Sequence, residues 1–177
     1  MSDWDSEPQY AGSLAQYAGQ ELTFGLADGS YDLRFGDDLV GRLVRPSQAM
    51  TAETREGRWE LRHPRRSVAR IDAVEPTSGM VVLHYRRRLI RPGGSITGQS
   101  AGERYRFRHQ GSRWVLTGSD PLLELGRGRT GYEHTLKVEQ APILPADLGL
   151  IALLCCYVML LEKESSAISG GGTGTGP

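Results

Sequence analysis

Leu148-Gly149-Leu150-Ile151-Ala152-Leu153-Leu154-Cys155-Cys156-Tyr157-Val158-Met159-Leu160-Leu161 is apolar at every position except Gly149. Pro145 and Asp147 suit a helix start, and Glu162-Lys163-Glu164 ends the apolar run. A helix that is apolar around its whole circumference has no face to offer to water, so it is buried either in lipid or in protein. Length favours protein: crossing a hydrocarbon core takes about 20 apolar residues, whereas runs of roughly 10–14 suit a buried core helix. Lys163 is the only basic residue at the exit of the run, and glutamates flank it on both sides, so the basic anchor of a membrane segment is missing. The run therefore predicts a core helix over residues 146–163. A tail-anchored membrane protein displaying a β domain is the alternative.

Upstream, apolar and polar residues alternate in short pieces. Leu22, Phe24 and Leu26 form one period-two stripe and Tyr31, Leu33 and Phe35 the next, with Asp28-Gly29 between them. Asp-Gly between two alternating runs signals a hairpin, because a tight primed turn requires positive φ angles. Further strands are expected over residues 39–44, 50–54, 58–62, 67–73, 80–86, 88–91, 95–97, 104–109, 113–118, 122–125 and 134–138. Turn residues separate them, among them Glu56-Gly57, His63-Pro64, Ser78-Gly79, Pro92-Gly93-Gly94 and Gln110-Gly111. About a dozen short strands at roughly ten-residue spacing mark an antiparallel sandwich or barrel. A sheet of that many strands curls or closes to protect its edges, and a closed barrel of that size is too wide for its own side chains to fill. The apolar helix is the natural filling. The expected fold is mostly β, a closed antiparallel barrel of about twelve strands around a C-terminal hydrophobic central helix, spanning residues 19–165. Residues 1–18 and the Gly-rich tail 166–177 read as flexible.

This combination resembles the tubby C-terminal-like superfamily, which includes the plant LURP-one-related proteins and the phospholipid scramblases. The residues that carry the likeness are Tyr31-Asp32-Leu33-Arg34-Phe35 leading into Val40-Gly41-Arg42-Leu43, the strand Trp59-Glu60-Leu61-Arg62 followed by Val68-Ala69-Arg70-Ile71, and the terminal helix. The resemblance implies a twelve-stranded barrel wrapped around its last helix, and binding of anionic phospholipid. It does not extend to calcium-driven scrambling, because no acidic ligand loop stands beside the terminal helix.

Composition narrows the function classes. The 177 residues include 21 Lys+Arg and 21 Asp+Glu, with 38% hydrophobic and 24% charged residues, which excludes a disordered chain, a coiled coil and a polytopic membrane protein. Zero formal net charge argues against a uniformly cationic nucleic-acid binder, but the charges are unevenly placed. Residues 34–114 hold 17 Arg and no Lys against 8 acidic residues, and the rest of the chain is acidic. Arg65, Arg66, Arg86, Arg87, Arg88 and Arg91 cluster near expected hairpin ends. A guanidinium can fork two hydrogen bonds onto one phosphate, so these six are the candidate lipid-binding residues, with anionic phospholipid headgroups as the expected partner. In Arg104-Tyr105-Arg106-Phe107-Arg108, strand parity sends the aromatics to one face and the arginines to the other. That is the pattern of a barrel wall, and no nucleic acid is expected.

Nothing in the sequence calls for catalysis or a cofactor, and an enzyme with an unrecognised site is the other alternative beside the tail anchor. It contains no Gly-x-Ser-x-Gly, no His-Glu-x-x-His, no phosphate-binding glycine loop before a helix and no Cys-x-x-Cys. His84, His109 and His134 stand 25 residues apart on separate expected strands, with no carboxylate pattern that would make them a metal site. Cys155 and Cys156 read as buried reduced thiols. The acidic start, Met1-Ser2-Asp3-Trp4-Asp5, has no basic region followed by an apolar one, so a cytoplasmic protein with peripheral membrane association is expected.

Overall fold

The structure, a computed structural model, describes residues 8–45, 49–64, 69–99, 103–130 and 133–169. Twelve antiparallel strands close into one barrel. They are β1 (Glu21–Ala27), β2 (Ser30–Phe35), β3 (Asp38–Val44), β4 (Met50–Thr54), β5 (Gly57–Arg62), β6 (Arg70–Val74), β7 (Val81–Arg87), β8 (Gly93–Gly98), β9 (Arg104–Gln110), β10 (Arg113–Thr117), β11 (Pro121–Arg127) and β12 (Glu133–Val138). Each pairs with its sequence neighbours, and β1 closes on β12 from Glu21↔Lys137 to Gly25↔Glu133. Closure leaves no strand with an unpaired edge, which is how a long meander avoids pairing with other chains.

Alternation decides which side chains turn inward. Leu22, Phe24, Leu33, Leu61 and Ile71 are fully buried, and so are Leu83, Tyr85, Ile96, Phe107 and Leu116 further along the wall. The first hairpin is the tight turn that Asp28-Gly29 implies, with φ of 48° at Asp28 and 83° at Gly29. Helix α1 (Leu148–Ser169) fills the barrel, and every residue from 148 to 159 is buried. Burial on all sides is what a helix apolar all round requires, and here protein supplies it. No helix among the described residues is long and apolar enough to cross a membrane. The tail-anchor alternative thus loses its segment to the core. Cys155 and Cys156 lie fully buried in α1 as free thiols.

The wall comes close to the helix at Gly41 of β3. A Cβ added to Gly41 would lie 3.3 Å from Cδ1 of Leu153, closer than ordinary van der Waals contact. The segment before β1 also joins the body. Ala11 donates its amide to the Leu39 carbonyl (2.8 Å), the Tyr10 hydroxyl meets the Glu53 carboxylate (2.9 Å), and Leu14 is buried.

Two elements differ from expectation. Residues 88–91 form the β7–β8 turn instead of a strand, and Gly93-Gly94, expected in that turn, begin β8. Adjacent Leu89 and Ile90 cannot both face inward in a period-two strand, and Pro92 has no amide to donate to the ladder. Helix α1 continues to Ser169, past the expected end near residue 163. Glu162-Lys163-Glu164 ends the apolar run but not the helix, because these residues are good helix formers and the first glycine comes only at Gly170. Residues 67 and 68 of the expected sixth strand lie outside the described residues.

Meander connectivity sends alternate turns to opposite mouths. The mouth where α1 begins collects Asp37, Glu56, Glu75, Glu103 and Asp120 from its turns, with Arg55 as their basic member. The mouth where α1 emerges collects Arg45, Arg88, Arg91 and Arg129 from its described turns, with Asp28 as their acidic member. The neutral chain is a barrel with one acidic and one basic end.

Candidate functional site

On the outer wall near the basic mouth, the strand registers Arg70↔Arg86, Arg86↔Ser95 and Ser95↔Arg106 align one residue from each of β6, β7, β8 and β9. The neighbouring row runs Asp72↔His84, His84↔Thr97 and Thr97↔Arg104. Strand β8 contributes only small side chains here, so Gly94 and Ser95 lie in a trough between the arginines of β7 and those of β9. The trough has a volume of about 330 Å³ and is lined by Arg86, Arg87, Arg88, Arg104 and Arg106. Asp72 answers Arg70 (3.1 Å) and His84 (2.8 Å). Among the described residues no carboxylate pairs with Arg86, Arg88, Arg104 or Arg106. Converging guanidinium groups without counter-ions are arranged to take an anion with several oxygens.

Beyond this trough projects the β7–β8 turn, closed by the Arg88 amide on the Gly93 carbonyl at 2.9 Å. Its tip, Leu89-Ile90, is fully exposed, and Arg88 and Arg91 bracket it. A large apolar side chain in water is commonplace singly. Two adjacent ones at a turn tip between cations form an amphipathic point.

The six arginines singled out in the sequence therefore divide. Arg86 and Arg88 line the trough, and Arg91 stands at the tip. Arg87 follows the inward parity of Leu83 and Tyr85, and its guanidinium binds the Glu162 carboxylate of α1 at 2.7 Å. It ties wall to helix while also bordering the trough, with its charge answered by Glu162. Arg65 and Arg66 lie outside the described residues. Arg104 and Arg106 were legible as outward-facing, but only the register across β8 shows that they face Arg86. The exposed tip went unseen because residues 88–91 read as a strand.

A second concavity, about 580 Å³, opens at the basic mouth beside α1. Trp114, Leu125, Met159 and Pro92 give it apolar surface, while Arg127, Lys163, His134 and His109 give it polar groups. Trp114 stacks on Phe107 at 4.9 Å and meets the edge of His109 at 5.1 Å. Lys163 Nζ lies 3.0 Å from His134 Nε2. An ammonium can only donate, so His134 accepts at Nε2 and carries its own proton on Nδ1. Burial, and then the Lys163 charge, hold the His134 imidazole below its ordinary pKa. Partial burial and Arg127 likewise lower Lys163. His84, in contrast, sits on the outer wall with Asp72. No group of three His, Cys, Asp or Glu side chains among the described residues is placed to hold a metal ion.

No protein-family model, curated protein or solved structure matches the chain.

Proposed function

We propose that this chain is a non-enzymatic, tubby-like barrel protein that binds anionic phospholipid surfaces peripherally through its basic mouth. The observation that carries the reading is the exposed Leu89-Ile90 tip, bracketed by Arg88 and Arg91 and set beside the arginine trough. A bilayer interface has the same layering, with anionic oxygens outside and hydrocarbon beneath. Removing a Leu or Ile side chain fully from water is worth roughly 1.5–3 kcal/mol, and an arginine near an anionic leaflet about 1 kcal/mol. Neither term alone offsets the loss of translational and rotational freedom on binding, but together they give reversible attachment.

Vesicle sedimentation tests this. The protein should pellet with vesicles containing phosphatidylserine or a phosphoinositide, not with pure phosphatidylcholine, and should release as salt rises. Leu89→Ser with Ile90→Ser, and separately Arg88→Gln with Arg91→Gln, should each weaken binding about tenfold or more, the equivalent of about 1.4 kcal/mol. Equal binding to neutral vesicles, or binding unchanged in both double variants, would refute the reading.

A further inference from the structure

The cleft beside α1 holds cations that the protein leaves unanswered. Among the described residues no carboxylate pairs with Arg127 or Lys163. The acidic side chain in the cleft, Glu162, is already bound to Arg87 at 2.7 Å. Lys163 gives one N–H to His134, which fixes the ammonium and leaves two donors for a ligand. Arg127 adds a planar fork at the same rim, suited to a phosphate or carboxylate. The same cleft has apolar lining from the buried side chains Trp114, Leu125 and Met159. A cleft of about 580 Å³ is within the range of pockets that take small ligands, and an apolar floor with a few convergent polar groups is their usual make-up.

We infer that this cleft binds a single-chain phosphate monoester, with its phosphate at Arg127 and Lys163 and its alkyl chain on Trp114 and Met159. The site is separate from the arginine trough on the outer wall, and it goes beyond the surface attachment proposed above. Such a molecule reaches the cleft either from a membrane, as a lysolipid, or free in solution. Pro92, in the turn that carries the Leu89-Ile90 tip, forms part of the cleft wall, so a lipid drawn from a membrane under the tip would enter at this point.

Calorimetric titration of the full chain with octyl phosphate below its micelle concentration tests the site, with inorganic phosphate and octanol as comparators. Octyl phosphate should bind at least tenfold more tightly than either. Arg127→Gln and Lys163→Gln, both at exposed positions, should each weaken it about tenfold, and Arg127→Gln, which breaks no bond to a carboxylate, should do so with the melting temperature unchanged. Trp114 fluorescence should report the same titration. Absence of octyl phosphate binding, equal binding of octanol or of inorganic phosphate, or indifference to both substitutions would overturn the assignment. Lysophosphatidic acid in phosphatidylcholine vesicles supplies the membrane arm. Binding there that requires Leu89 and Ile90 points to extraction from the bilayer, and lysophosphatidic acid binding that survives their replacement by Ser points to uptake from solution. Survival of octyl phosphate binding when vesicle attachment fails would also separate this site from the surface reading.

Discussion

Asp32 shows how the barrel keeps a buried charge. Its carboxylate receives Arg42 at 2.7 Å, Arg34 at 2.8 Å and the Ser30 hydroxyl at 2.9 Å, and the residue is almost fully buried on the β2 wall. Burial alone would raise this carboxyl. The hydrogen bonds from Arg42, Arg34 and Ser30 outweigh it and hold the group below its ordinary value. Because the folded carboxyl titrates lower than the unfolded one, its stabilisation is complete above the unfolded pKa of about 3.9 and is lost as pH falls through the folded value. Asp32→Ala leaves two partly exposed guanidinium groups without the carboxylate that binds both. The expected cost is about 2 kcal/mol, between the values for surface and fully buried pairs. Denaturant titrations at pH 7 and pH 3 check this: the variant should lose more stability relative to the parent at pH 7 than at pH 3, and equal midpoints at pH 7 would contradict it.

Among the elements, helix and wall constrain each other closely at Gly41 and Leu153. Gly41→Val pushes two methyl groups toward a side chain already within 3.3 Å of the added Cβ position, and overpacking of this kind costs about 1–3 kcal/mol. Leu153→Ala should relieve part of that cost, so the double variant should be more stable than the sum of the two single effects. Strict additivity in a double-mutant cycle would mean that β3 and α1 do not press on each other there. The elements themselves were largely legible in the sequence. The Leu148–Leu161 run decided that there is a core helix, and the alternation at Leu22, Phe24, Tyr105 and Phe107 assigned inner and outer faces. The expected strand at Arg88-Leu89-Ile90-Arg91 is a turn instead, because adjacent Leu89 and Ile90 cannot share one face and Pro92 cannot donate to the ladder. The candidate site was less legible for a related reason. Facing Arg86 across Ser95 toward Arg106 depends on the pairing of three strands, and Arg127 and Lys163 meet only because α1 leaves the barrel beside β11.

For the molecule as a whole, the opposed mouths give the neutral chain an axial charge separation. The N-terminus of α1 lies at the acidic mouth, where acidic residues complement the positive end of a helix dipole. Closure also makes the two thiols reporters of global opening. Cys155 and Cys156 are fully buried, and burial raises both thiols well above their usual range. Neither should react with a thiol reagent in native buffer. Both should become reactive together over the denaturant range where tryptophan fluorescence reports unfolding, and reaction of either one earlier would show that the helix loosens without the wall opening. The position of α1 after all twelve strands also governs how the chain matures. A ribosome releases the wall before the plug, so until residues 148–159 emerge the strands have no apolar centre to close upon. Completion of the barrel is therefore a late event, after synthesis of the last strand, during which the exposed strand faces are open to chaperones and to one another.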